Sequence, residues 1–166
     1  MKIKCSNCNL DFEIDDEDLS KILVHTKNWS AQFKFNKFGD VKLKSIHGRS
    51  SLLKKSIIPI SWAIMGQPPE GFIWDHINRS PLNNKKSNFR LANIKQNNYN
   101  KNKIEGSSSF KNVTRHQCKW TVRVAKNGKN YYGGSFDSEI EAAKKANELM
   151  LQLHGEFANL NKIPEN

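Results

Sequence analysis

WDHINRSPLNNKKSNFRLANIKQNN, residues 74–98, sets one aspartate beside one histidine, Asp75 and His76, among seven asparagines, three lysines and two arginines. Asparagine favours neither helix nor strand, so such a density marks a loop-rich segment, in which Asn78, Asn83 and Asn84 read as turn formers. FIWDH (72–76) reads as a strand ending in two polar side chains that point to opposite faces. NRSPLNNKKS (78–87) reads as a loop built on Pro and Asn, NFRLA (88–92) as a returning strand, and NIKQNNYNKN (93–102) as a short polar helix. Strand, loop, strand and helix in that order would gather Asp75, His76, Asn88 and Asn97.

These residue types suit metal-assisted hydrolysis. A carboxylate plus an amide carbonyl can hold a hard divalent cation and leave positions open for phosphate and water. A histidine with an ordinary pKa near 6.5 can be neutral at working pH and accept a proton from attacking water. The plain alternative is a surface Asp-His pair in a polar loop. Taken together, Asp75, His76, Asn88 and Asn97 in their order and the SNFR stretch (87–90) resemble the ββα-metal motif of HNH endonucleases, the phage and intron homing subgroup especially. The resemblance implies Asp75 and Asn97 as ligands of one Mg²⁺ or Mn²⁺ and His76 as general base. It gives Asn88 as the catalytic-site residue that holds the loop against the second strand. It implies a nicking or double-strand-cutting enzyme, with Arg79, Lys85, Lys86 and Arg90 gripping phosphates. Relatives usually carry a further His in an upstream apolar segment; here IIPISWAIMG (57–66) offers Ile57, Ile58 or Pro59.

Charge points the same way. The chain of 166 residues has a net charge of +11. Residues 1–18 hold six of its 16 acids and two of its 27 basic residues, so the rest carries a large positive surplus. A surplus with interleaved aromatics predicts a polyanionic partner, double-stranded DNA, although solubility alone is the bland reading. No apolar run approaches the roughly 20 residues of a membrane span, and the acidic start is unlike a signal peptide, so an intracellular, cytoplasmic location is expected, with no membrane and no small-molecule cofactor.

The C-terminal third is punctuated like a folded module. SFKNVT (109–114), KWTVRVA (119–125) and YYGGSF (131–136) read as strands, and Asn127-Gly128 as a two-residue hairpin turn. In SEIEAAKKANELMLQLHG (138–155), Ser138 and Glu141 form a capping box. Ile140, Ala143, Ala146, Met150 and Leu153 line one helix face, and Gly155 suits the C′ position. With the Lys119-Trp120 pair, GSFDSEIEAA and the closing HGEFANLN, the segment resembles an AP2/ERF DNA-binding domain over about 50 positions. That resemblance implies a three-stranded sheet laid in the major groove. Thr114, His116, Lys119, Thr121, Arg123 and Tyr132 would then meet DNA, with Arg123 at a base edge. Trp120 reads as a core aromatic, His154 and Phe157 as packing and cap residues. Asn112 stands where the family usually has Gly, which requires positive φ, and Gly133 stands where it has a bulky residue, which predicts looser packing.

Cys5 and Cys8 have knuckle spacing for zinc, to be completed by His25, His47 or Cys118, or they are reduced cysteines in a β-turn. Three cysteines cannot all pair, which fits a reducing compartment. The acids of IDDEDLSKI (14–22) read as the solvated start of a helix, and WSAQFKFNKFGDVKLKSI (29–46) as two strands about a turn at Gly39-Asp40.

The expected fold is α+β: a β-rich N-terminal region (1–56), an HNH module (57–103), a flexible Gly/Ser linker (104–109) and an AP2-like domain (110–161), as a monomer or weak dimer. A DNA endonuclease is expected. The rival is a sequence-specific DNA-binding regulator with a vestigial HNH centre.

Overall fold

The computed structural model describes residues 1–35, 40–53, 56–103 and 106–164. The chain is mixed α and β, with four small antiparallel sheets among the described residues, and divides into two compact units, Met1–Asn93 and Ile94–Asn166.

The first unit opens with a hairpin of β1 (Lys2–Lys4) and β2 (Asp11–Glu13), then a single turn of 3₁₀ helix at Asp16–Asp18 leads into α1 (Leu19–His25). A three-stranded sheet follows, β3 (Trp29–Phe35), β4 (Val41–Arg49) and β5 (Ile57–Pro59), with β4 in the middle. The chain then forms α2 (Ile60–Met65) and the antiparallel pair β6 (Phe72–His76) and β7 (Phe89–Asn93). Of the expected turn between β3 and β4, Gly39 lies outside the described residues. One core binds these pieces: Phe12, Ile14, Ile22, Trp29, Ala31, Ile46, Ile58, Ile60, Ala63, Ile64 and Phe89. Each such large side chain contributes about 1.5–3 kcal/mol on burial. The core draws on both sides of residue 56, so the N-terminal segment and the Asp75-His76 strand share one interior. Trp29 sets the local geometry: its cross-strand partner is Gly48, where an added Cβ would stand 2.9 Å from the indole and 2.6 Å from Thr26 Cγ2.

The second unit begins with α3 (Ile94–Asn100), followed by β8 (Val113–His116), β9 (Lys119–Lys126), β10 (Lys129–Phe136) and α4 (Glu139–His154). The sheet order is β10-β9-β8, and Val113, Val122 and Val124 meet Ala142, Ala143, Ala146 and Met150 of α4. The small alanines let the helix approach the sheet closely. The punctuation stands as expected. Asn127 and Gly128 have φ of 51° and 79°, Ser138 accepts the Glu141 amide, and Gly155 ends the helix at φ 56°. Asn112 has φ 62°, the left-handed conformation that its place in the pattern requires.

Two expectations change. Gly133 does not loosen the packing, because a Cβ there would lie 2.7 Å from Val122 Cγ1 and 3.2 Å from Leu149 Cδ2. Helix and sheet have closed onto the glycine. Nor do the serines of the expected linker behave as one. Ser108 is buried, and Glu139 accepts from both the Ser108 and Ser109 hydroxyls and from the Ser109 amide, while Ser107 Oγ takes the Arg115 amide. Ile104 and Glu105 lie outside the described residues. Among the described residues, no helix is long and apolar enough to cross a membrane.

Candidate functional site

Asp75 and His76 close β6, opposite Arg90 and Phe89 of β7. Strand alternation sends the two side chains to different surroundings. Asp75 is buried, and its Oδ2 accepts from Nε and Nη2 of Arg90, each at 3.1 Å. Arg90, expected on phosphate, is here the cross-strand partner that holds the carboxylate in place. His76 lies tilted against the Phe89 ring, centroids 4.8 Å apart. The pair is therefore not the surface pair that a polar loop would give.

The loop between the strands fixes the state of His76. Asn84 is fully buried; its Nδ2 donates to the Pro81 carbonyl at 3.0 Å, and its Oδ1 lies 3.0 Å from His76 Nε2. A carbonyl oxygen can only accept, so Pro81 sets the amide orientation. The amide oxygen can then only accept from the imidazole, so Nε2 carries the proton and the lone pair sits on Nδ1. Burial pushes the His76 pKa below its ordinary value, against the smaller opposing pull of Asn84 and Asp75. A neutral ring with its lone pair on Nδ1 is the form a general base needs.

Asn84 is the residue that sequence reasoning missed. It reads as a turn former there, because nothing in the one-dimensional pattern separates it from Asn78 and Asn83. Those two do form turns: Asn78 Oδ1 accepts the Ser80 amide and Asn83 Oδ1 accepts the Lys85 amide. Asn88 bonds across the loop to Asn78 and Asn83. Its Oδ1 accepts the Asn78 amide at 3.0 Å, and its Nδ2 donates to Asn78 Oδ1 and to the Asn83 carbonyl at 2.9 and 2.7 Å.

The N-terminal acids hold this loop from outside. The Glu13 amide donates to the Leu82 carbonyl, and the Glu13 carbonyl accepts the Asn84 amide at 2.7 Å. Asp15 Oδ2 accepts the Lys86 amide at 2.8 Å. The Lys86 ammonium pairs with Glu17 and, at 3.1 Å, with Asp18; Lys85 lies 3.6 Å from Glu13. The ammonium pKa of Lys86 is accordingly raised, first by Glu17 and then by Asp18. Asp18 is not solvated as expected but wholly buried. Burial pushes its pKa up, and Lys21 and Lys86 together outweigh that and hold it low. Arg79 is exposed in the loop with φ 64°.

Asn97 sits half-buried on α3, in the second unit. Of the residues expected to face DNA in that unit, Thr114, His116, Lys119, Arg123 and Tyr132 are exposed. Thr121 is buried: its hydroxyl meets Ser135 Oγ at 3.1 Å, and Ser135 in turn meets the Tyr132 hydroxyl. Trp120 packs against the core with Arg115 over its ring, and His154 stacks on Tyr99 while its Nε2 donates to the Ala125 carbonyl.

Cys5 and Cys8 stand together in the β1–β2 turn, where the Cys5 amide donates to the Leu10 carbonyl. Burial and the neighbouring Cys8 push the Cys5 thiol up to about 11. Among the described residues, no group of three or more His, Cys, Asp or Glu could hold a metal ion, so the pair offers two of the four ligands that structural zinc takes. For Mg²⁺ or Mn²⁺ the relevant donors are carboxylate and amide oxygens, and the chemistry of Asp75 suits a hard cation.

No family model and no solved structure matches the chain. Among its sequence relatives are a protein named as an HNH endonuclease and APETALA2-like proteins, so the chain resembles an HNH endonuclease with an AP2-like part. It is 35% identical over 100 residues to a mimivirus protein named "Uncharacterized HNH endonuclease L560", covering 60% of this chain and 52% of that one. A 62-residue stretch, 36% of the chain, is 40% identical to APETALA2-like protein 2 of rice and covers 14% of it. The chain thus spans about half the length of the mimivirus relative. It is 32% identical over 99 residues to Protein 3.8 of Escherichia phage T7, over 58% of this chain and 81% of that one. The chain belongs to the same family as this phage protein.

Proposed function

We propose that the protein is a metal-dependent DNA endonuclease of the HNH kind, positioned on its substrate by the AP2-like module. The observation that carries this reading is the Pro81–Asn84–His76 chain of hydrogen bonds, which puts the lone pair of a neutral imidazole on Nδ1, in the residue that follows the buried carboxylate of Asp75. In the proposed reaction His76 Nδ1 takes a proton from the attacking water. Asn84 keeps the ring in the required tautomer, and Arg90 keeps the Asp75 carboxylate in place. A Mg²⁺ or Mn²⁺ ion on Asp75 would stabilise charge on the phosphate and the leaving oxygen. Asn97, four residues past β7 in the chain, is the sequence's candidate for a second oxygen donor. Arg79, and the exposed Lys119 and Arg123 of the AP2-like sheet, are the proposed phosphate and base contacts.

The HNH relative and the AP2-like relative support nuclease and DNA-binding roles respectively. A second reading, a DNA-binding regulator with a vestigial centre, is favoured by two observations. Arg90 occupies Asp75 Oδ2, and the place of the upstream His holds Ile57–Pro59. Supercoiled plasmid incubated with the protein and Mg²⁺ or Mn²⁺ separates them. The nuclease reading predicts conversion to open-circular or linear DNA that EDTA blocks. Retarded but uncut plasmid under all three conditions would leave only the regulator.

A further inference from the structure

The strands β3 and β4 run past the core they help to build. At their base Trp29, Ala31, Ile46 and Gly48 are buried. Beyond a shift in register at Gln32 and Phe33, the pairs are Phe33 with Leu43, Lys34 with Lys42, and Phe35 with Val41. Alternation places Phe33, Phe35, Val41 and Leu43 on one face and Lys34 and Lys42 on the other. The apolar face lies open to a degree that solubility does not explain, with Phe35 73% and Val41 55% exposed.

The charges are equally one-sided. Every charged side chain within the two strands is basic: Lys34, Lys42, Lys44 and Arg49. Lys34 stands directly across the ladder from Lys42, a like-charge pairing that weakens a hairpin unless an anion lies against it. Lysine on an edge strand commonly blocks edge-to-edge aggregation. That role calls for one charge on one edge, not for matched lysines backed by open phenylalanines. A polyanion with apolar surface beside its charges satisfies both faces. Duplex DNA has that chemistry: phosphates along the groove walls, with sugars and thymine methyls between them. A two-stranded ribbon, with strands about 4.8 Å apart, fits the roughly 12 Å width of the major groove.

We propose that the β3–β4 ribbon is a DNA-binding element set in the major groove, with Phe35 and Val41 of its apolar face in contact with the groove floor and Lys34, Lys42 and Lys44 reaching from the ribbon to the phosphates of the groove walls. The proposal rests on the reading of the protein as a DNA binder and adds an element that neither the HNH resemblance nor the AP2-like resemblance assigns.

The test uses the full chain and a random-sequence 30-base-pair duplex, with affinity followed by fluorescence anisotropy over a salt series. The ribbon variant carries Lys34→Gln, Lys42→Gln and Lys44→Gln. A control of equal charge carries Lys2→Gln, Lys4→Gln and Lys27→Gln, all exposed in the same unit. Each lost phosphate contact lowers the log–log salt slope by about 0.9, so the ribbon variant should lose about 2.7 and the control much less. The matching triple Lys→Arg variant, which keeps the charges, should retain the wild-type slope. Equal slopes for ribbon variant and control overturn the proposal while leaving DNA binding intact. A wild type that binds no duplex overturns the underlying reading instead. If Phe35→Ala dissolves a dimer in sedimentation velocity while the triple Gln variant binds DNA like wild type, a second copy of the chain occupies the ribbon, and the proposal also falls.

Discussion

The loop of residues 77–88 and the β8–β10/α4 module are built on opposite principles. The loop is wired by polar groups: Asn78, Asn83, Asn84 and Asn88 bond to one another and to main chain, and Glu13 and Asp15 fasten it from the N-terminal segment. The module is packed by apolar ones, three valines against three alanines and a methionine, with a capped helix and a two-residue turn. Polar wiring fixes the orientation and protonation of one imidazole, where direction matters. Apolar packing fixes the shape of a sheet, where area matters. Damage to the first should appear in chemistry, and damage to the second in stability.

Substitutions can break that contrast, the most severe in the packed module. Met150→Ala removes a fully buried side chain between helix and sheet and should cost about 2–5 kcal/mol, read from chemical denaturation. Plasmid conversion by the folded fraction should change little. In the wired loop, Asn84→Asp should do the reverse. A carboxylate at His76 Nε2 favours the imidazolium, whereas in the wild type burial keeps the ring neutral. The acid limb of the pH–rate profile in the wild type should therefore lie below the ordinary imidazole value, and in the variant it should move up. An unmoved limb would show that Asn84 does not govern the base. At the small end, Ser138→Ala removes the acceptor of a 3.4 Å capping bond and should cost about 0.5–1 kcal/mol, with no change in the pH profile.

The same contrast explains what could be read in advance. The module is legible because its signals are local and periodic: Asn127-Gly128, Ser138 with Glu141, and the face of Ala143, Ala146 and Met150 each lie within a few residues. The order of Asp75, His76 and Asn88 is legible too, since strand, loop and strand follow in sequence. The Asn84–His76 bond is not, because four loop asparagines look alike until Pro81 and Glu13 bury one of them. The Asp15–Lys86 bond spans 71 positions, and no spacing rule reaches that far. Gly133 fails differently: an absent side chain predicts a void, but the helix and sheet move in to fill it.

The proposed role of His76 as general base is open to a direct test. The most direct measurement places His76→Ala and wild type side by side on one duplex substrate with Mn²⁺, scoring cleavage and binding separately. With His76 as the base, cleavage should fall roughly 10²- to 10⁴-fold with affinity unchanged within about twofold. Cleavage by the variant at the wild-type rate would contradict that role.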